Sequence, residues 1–190
     1  MKNIFFVFAF GAITLSACNN SSNKNKQSDK ISDSSTEHYV QKVSAFTSPV
    51  NGLLQIYLQM KNAFVNDNAM DAAKAGNEMK KALDDFEIDI LRDEEKKTFE
   101  DITDDAKGHA EHIGLNAGNI EHQREHFDML SKDMYDLVKK FTAGESIYIN
   151  YCPMYNDNKG AIWLSESTEI KNPYYGNTML TCGKTTETIQ

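Results

Sequence analysis

The chain has 190 residues, with 20 Lys plus Arg against 28 Asp plus Glu and a formal charge of −8. That length suits one ordinary domain with a small appendage, and 40% hydrophobic with 25% charged residues excludes wholesale disorder. A chain this acidic offers no clustered cations for phosphate, which excludes nucleic acid as a partner. Three Cys, three Pro and ten Gly exclude a disulfide-dense or collagen-like chain.

Lys2 and the uncharged, mostly apolar run from Ile4 to Leu15 read as the start and core of a signal peptide over residues 1–17. As a helix the run rises only about 18 Å, too short to span a bilayer. It ends in Leu15-Ser16-Ala17-Cys18, which resembles a bacterial lipobox. In a lipobox the cysteine is thioether-linked to diacylglycerol and becomes the new N-terminus. Cys18 is therefore the expected lipidation site, and several acyl chains would hold the protein on a membrane. By resemblance to known lipoproteins, Asn19 in place of a retention Asp favours the outer membrane, facing the periplasm, an oxidising compartment. The Asn-, Ser- and Lys-rich stretch that follows is too poor in apolar residues to offset its chain entropy, and residues 18–44 read as a flexible tether.

Four helices follow from spacing, over about 48–142. Ser48-Pro49 reads as a helix start, and Val50, Leu53, Leu54, Tyr57, Leu58, Phe64 and Val65 recur at helical period. A second start near Asp67 leads into Ala69, Ala72, Gly76, Met79, Leu83 and Phe86, whose small residues permit close helix approach. Asp93, Glu94 and Glu95 suit the first turn of a third helix, with the stripe Phe99, Ile102, Ala106, His109, Ile113. The fourth stripe is Ile120, Gln123, Phe127, Leu130, Met134, Leu137, Phe141. Gly114 and Gly118 argue for a turn between the last two, near residue 116. Short connections favour an antiparallel up-down four-helix bundle, so the expected class is mainly α.

The texture changes over about 145–185. Ile147–Tyr151 alternates as a strand does, and Cys152-Pro153-Met154, Gly160–Leu164, Asn172–Gly176 and Met179–Gly183 read as short strands and turns. The expectation is a small β/turn lobe against one end of the bundle, anchored by Trp163 and the Tyr174-Tyr175 pair.

Two groups of residues carry candidate chemistry. In the hairpin, His109 and Gln123 occupy stripe positions and would face each other. The plain reading is a buried His–Gln hydrogen bond. The sharper one is a metal site, because His109 and His112 at i,i+3 and His122 and His126 at i,i+4 present imidazoles from one end of the hairpin. His122 to His126 also fits H-x-x-E-H, the inverted zinc-protease pattern, but no cleft is evident, and the chain is read as non-enzymatic. In the tail, Cys152 and Met154 form C-x-M, and Met179 and Cys182 form M-x-x-C. Thiolate and thioether are soft donors that suit Cu(I) or Ag(I). With Cys18 lipidated, two cysteines remain, so a Cys152–Cys182 disulfide closing the lobe is the equal alternative.

Tyr151-Cys152-Pro153-Met154, Gly160-Ala161, Trp163-Leu164-Ser165, Ile170, Asn172–Gly176, Met179-Leu180 and Cys182-Gly183 resemble the signature of an uncharacterised bacterial family, the domain of unknown function numbered three-three-four-seven. Gln123–Phe127 followed by Leu130-Ser131 resembles it too, and the resemblance spans roughly residues 45–185. Members are small Gram-negative lipoproteins, or domains fused to periplasmic adaptor subunits of copper/silver efflux pumps. The resemblance implies a periplasmic domain handling soft metal ions for export, with such an adaptor as partner. The C-P-M start is also similar to the short heavy-metal-binding domain of those adaptors, in which a His follows; here Tyr155 stands in that place, and His126 or His109 from the bundle would complete a Cys/Met/His set. The resulting expectation is a membrane-tethered Cu(I)/Ag(I)-binding protein with Cys152, Met154, Met179 and Cys182 as ligands. Its rival is a metal-free envelope scaffold or interaction module with a disulfide.

Overall fold

The computed structural model describes residues 48–141 and 145–190. The expected signal peptide, the expected lipidation site Cys18 and the expected tether lie outside the described residues.

Four helices form the body: α1 (Asn51–Val65), α2 (Ala69–Asp84), α3 (Asp93–Leu115) and α4 (Ile120–Phe141). Each packs on the next, and α4 closes back on α1. The pairings are antiparallel. Phe64 near the end of α1 meets Phe127 near the start of α4 at 4.9 Å between ring centroids, and Ser48 ahead of α1 donates to the carbonyl of Phe141 at the end of α4. The core is continuous across Leu54, Tyr57, Met60, Phe64, Met79, Ile113, Phe127, Leu130, Met134 and Leu137.

Local signals set the helix ends. Ser48 does not cap α1 from the N-cap position, which Val50 occupies; its hydroxyl accepts from the Val50 amide while donating to Phe141. Asp67 takes φ 54° in the α1–α2 turn, and Asn68 caps α2 by accepting from the Asp71 amide at 3.0 Å. Glu95 folds back to accept from the Arg92 amide at the start of α3. Asn119 accepts from the His122 amide at the start of α4. The small residues of α2 serve the close approach their size permits: a Cβ on Gly76 would stand 2.8 Å from the Ala110 carbonyl oxygen and the Gly114 nitrogen on α3.

The buried face of α3 is Phe99, Thr103, Ala106, Ala110 and Ile113, which keeps three residues of the anticipated stripe and puts Thr103 and Ala110 in the places of Ile102 and His109, so those two sit at its edge. Gln123 is fully buried but does not meet His109; it donates to the carbonyls of Ala69 and Ile113.

The tail forms a three-stranded antiparallel sheet, β1 (Ile147–Cys152), β2 (Ala161–Ser165) and β3 (Lys184–Ile189), with β1 central. It does not sit at one end of the bundle. It lies along the flank of α1 and α4: Arg124 donates to the Pro173 carbonyl, Tyr174 packs on Phe127, and Tyr135 and Lys139 reach Glu187. Positions 124–139 cover about 22 Å of helix. The Tyr57 hydroxyl accepts from the Leu164 amide at 3.1 Å, which fixes β2 to α1. Trp163 and Tyr174 are buried as the anchor; Tyr175 is half-buried.

Candidate functional sites

The first site is the sulfur pair in the tail. Cys152 ends β1, fully buried; Cys182 precedes β3, partly exposed; their sulfurs stand 3.9 Å apart although thirty residues separate them. The turn that carries Cys182 is held from two sides. Its amide donates to the Met179 carbonyl, and its own carbonyl accepts from the Asn172 side chain at 2.7 Å. Asn172 is fully buried, and its Oδ1 also accepts from the amides of Tyr174 and Tyr175. Asn172 thus ties the tyrosine pair to the sulfur turn, a role its position in the tail motif did not announce. Burial and the adjacent Cys152 push the Cys182 thiol up. Burial, then the charges of Cys152 and Cys182, push the Tyr175 phenol up as well.

Met179 lies half-buried in the same turn as Cys182, whereas Met154 is 46% exposed, its carbonyl accepting from the Tyr175 hydroxyl at 3.0 Å. After Met154 the backbone makes a left-handed turn, with Asn156, Asp157 and Asn158 at φ 53–64°. Asn and Asp tolerate that region better than other side chains.

The second site is the imidazole cluster of the α3–α4 hairpin. His109 Nδ1 and His126 Nδ1 are 3.3 Å apart. One ring nitrogen from each of His112, His122 and His126 lies within 4.8 Å of the others. The rings of His112 and His126 stack at 4.2 Å. His122 meets the rings of His112 and His126 and pairs through Nδ1 with Glu125 at 3.1 Å. Behind His109, Asp133 Oδ2 stands 4.0 Å from Nε2, buried and without a hydrogen-bond donor. Burial, then Asp105 and Asp136, push the Asp133 carboxyl up to about 7. Burial, then His112, His122 and His109, bring His126 down to about 4.

Expected ligands thus fall into two sets. The sheet covers the flank of α4 that carries Arg124, Phe127 and Ser131, while His122 and His126 turn toward α3 and find His109 and His112. A groove of about 820 Å³ runs between α4 and the lobe, with Glu121, Glu125 and Asp128 on one side and Tyr155, Tyr174 and Tyr175 on the other.

No curated protein and no solved structure matches the chain. The model of one family, described as "Protein of unknown function (DUF3347)", matches residues 53–146, which hold the four helices from the third residue of α1 and stop short of β1 and the tail cysteines. Through those residues the chain belongs to that family of unknown function.

Proposed function

We propose that this is a lipid-tethered domain of the cell envelope that binds Cu(I) or Ag(I) and serves metal efflux or homeostasis, with no catalytic step of its own. One observation carries the reading: two sulfurs thirty residues apart in sequence meet at 3.9 Å. Two thiolates each about 2.3 Å from one ion, at a near-tetrahedral angle, stand about 3.8 Å apart, so the pair has the separation that shared ligation needs. Thiolate joined by thioether is a soft donor set that suits Cu(I) or Ag(I). Met179 is the thioether nearest in sequence to the pair's exposed member, and Met154 would have to turn inward from solvent to join. The acidic surface and groove gather cations without choosing among them. The partner that fits this role is an adaptor subunit of a copper or silver efflux pump.

The rival reading, a metal-free interaction module closed by a Cys152–Cys182 disulfide, begins from the same juxtaposition. A thiol count on the protein isolated from its own envelope separates the two. Two free thiols that disappear on addition of Cu(I), together with sulfur in the first shell by X-ray absorption, support the metal carrier. No free thiol, or a copper shell without sulfur, ends that reading. Cys152→Ser run in parallel should abolish the sulfur shell.

A further inference from the structure

We propose that the α3–α4 hairpin carries a separate, all-nitrogen metal centre, built by His109, His112, His122 and His126 and oriented by Asp133 and Glu125, which takes a borderline divalent ion such as Zn(II). It does not depend on the sulfur site.

Spacing supports it first. Two imidazole nitrogens about 2.0–2.1 Å from one tetrahedral ion stand about 3.3 Å apart, the separation of Nδ1 on His109 and His126. The nitrogens of His112, His122 and His126 lie within 4.8 Å of one another, wider than that spacing, so these rings would draw together on the ion. Imidazole without thiolate suits Zn(II), Cu(II) or Ni(II) over the soft monovalent ions.

The outer contacts fall on the right atoms. A ligating imidazole ordinarily offers its other nitrogen to a carboxylate, which sets the tautomer. His109 presents Nε2 to Asp133, leaving Nδ1, the atom that faces His126. His122 presents Nδ1 to Glu125, leaving Nε2. A lone hydrogen bond between His109 and His126 would account for two of the rings; it gives no role to the stacking of His112 on His126 or to the edge contact of His122 with His126.

The test uses the full chain with Cys152→Ser and Cys182→Ser, which removes the sulfur pair, and Zn(II) alone as the probe. Calorimetry should find one Zn(II) per chain, and X-ray absorption should show imidazole scattering in a shell without sulfur. His112→Asn changes an exposed side chain and leaves the circular dichroism unaltered; it and His126→Asn should each weaken binding at least about tenfold. Asp133→Asn should weaken binding by about 10–100-fold while the imidazole shell persists. Absence of Zn(II) binding, affinity unchanged in both His variants, or a shell without imidazole overturns the proposal. Retention of Ag(I) by the His112→Asn chain with both cysteines intact shows the two centres to be separate.

Discussion

Arg124 and Asp67 join three parts of the molecule: Nη2 of the arginine stands 2.6 Å from Oδ1 of the aspartate, in the turn between α1 and α2. The same guanidinium donates to the Phe64 carbonyl at 2.9 Å and to the Pro173 carbonyl at 2.8 Å. Oδ2 of Asp67 accepts from the backbone and side-chain nitrogens of Asn177. Arg124 is 8% exposed, so its bonds to the two carbonyls form away from water, whereas the Asp67 side chain is 38% exposed.

Arg124→Met leaves the buried Phe64 and Pro173 carbonyls without their donor while the Asp67 carboxylate, 38% exposed, turns to solvent, and should cost about 1–3 kcal/mol. Arg124, then Asn177, hold the Asp67 carboxyl below the usual carboxylate range. A depressed carboxyl stabilises the fold above its unfolded pKa of about 3.9 and ceases to do so as pH falls through the native value. Urea titrations should thus find wild type more stable than Asp67→Asn at neutral pH, with the gap closing under acid. A gap that widens below pH 4 contradicts the assignment.

Lys61 and Glu166 should respond unequally. Lys61 is 3% exposed on α1 and its Nζ stands 2.7 Å from Oε2 of Glu166, whose side chain is 48% exposed. Lys61→Met keeps the apolar stem and leaves the glutamate to solvent, at a cost within about 1 kcal/mol. Glu166→Ala strands a buried ammonium and should cost about 3 kcal/mol or more. The opposite ranking in chemical denaturation would refute the account.

Two glycines test the α2–α3 contact. Gly76→Ala drives a methyl into backbone atoms of Ala110 and Gly114 at 2.8 Å and should destabilise by about 1–3 kcal/mol. Gly108→Ala meets nothing within 4 Å and should gain up to about 1 kcal/mol from helix propensity. Thermal unfolding of both variants, with Tm moving in opposite directions, is the check.

In the reduced, metal-free protein, iodoacetamide should label Cys182 before Cys152, because only Cys182 has exposed surface. Its raised pKa makes that reaction slow at neutral pH and faster as pH rises. Asn172→Ala removes the donor to the Cys182 carbonyl and should bring the two labelling rates together. Peptide mass mapping over time reads both; labelling of Cys152 first would show the burial of the pair to be wrongly assigned.

The bundle was legible because apolar spacing alone specifies which face of each helix is buried. The error at His109 came from a small rotation: burying Thr103 and Ala110 in place of Ile102 and His109 turns the α3 face by about 40°, enough to exchange a glutamine partner for a histidine. The grouping of four histidines followed from i,i+3 and i,i+4 spacing on facing helices, but the carboxylate behind them did not, because Asp133 is twenty-one or more residues from the α3 histidines and carries no local pattern. Buried Lys61 and Arg124 were invisible, since charged side chains read as surface until their partners are known. The site of the sheet on the bundle's flank was equally hidden, as the tail has no periodicity that points to a neighbour.

The order of the strands has a practical consequence. β3 covers one long edge of β1, the strand that ends at Cys152. Any cut or deletion ahead of Lys184 would strip that cover and leave amides and carbonyls of a half-apolar strand open to other chains. Shortened versions of this protein should therefore stick to one another, and work that trims it from that side will be studying aggregates.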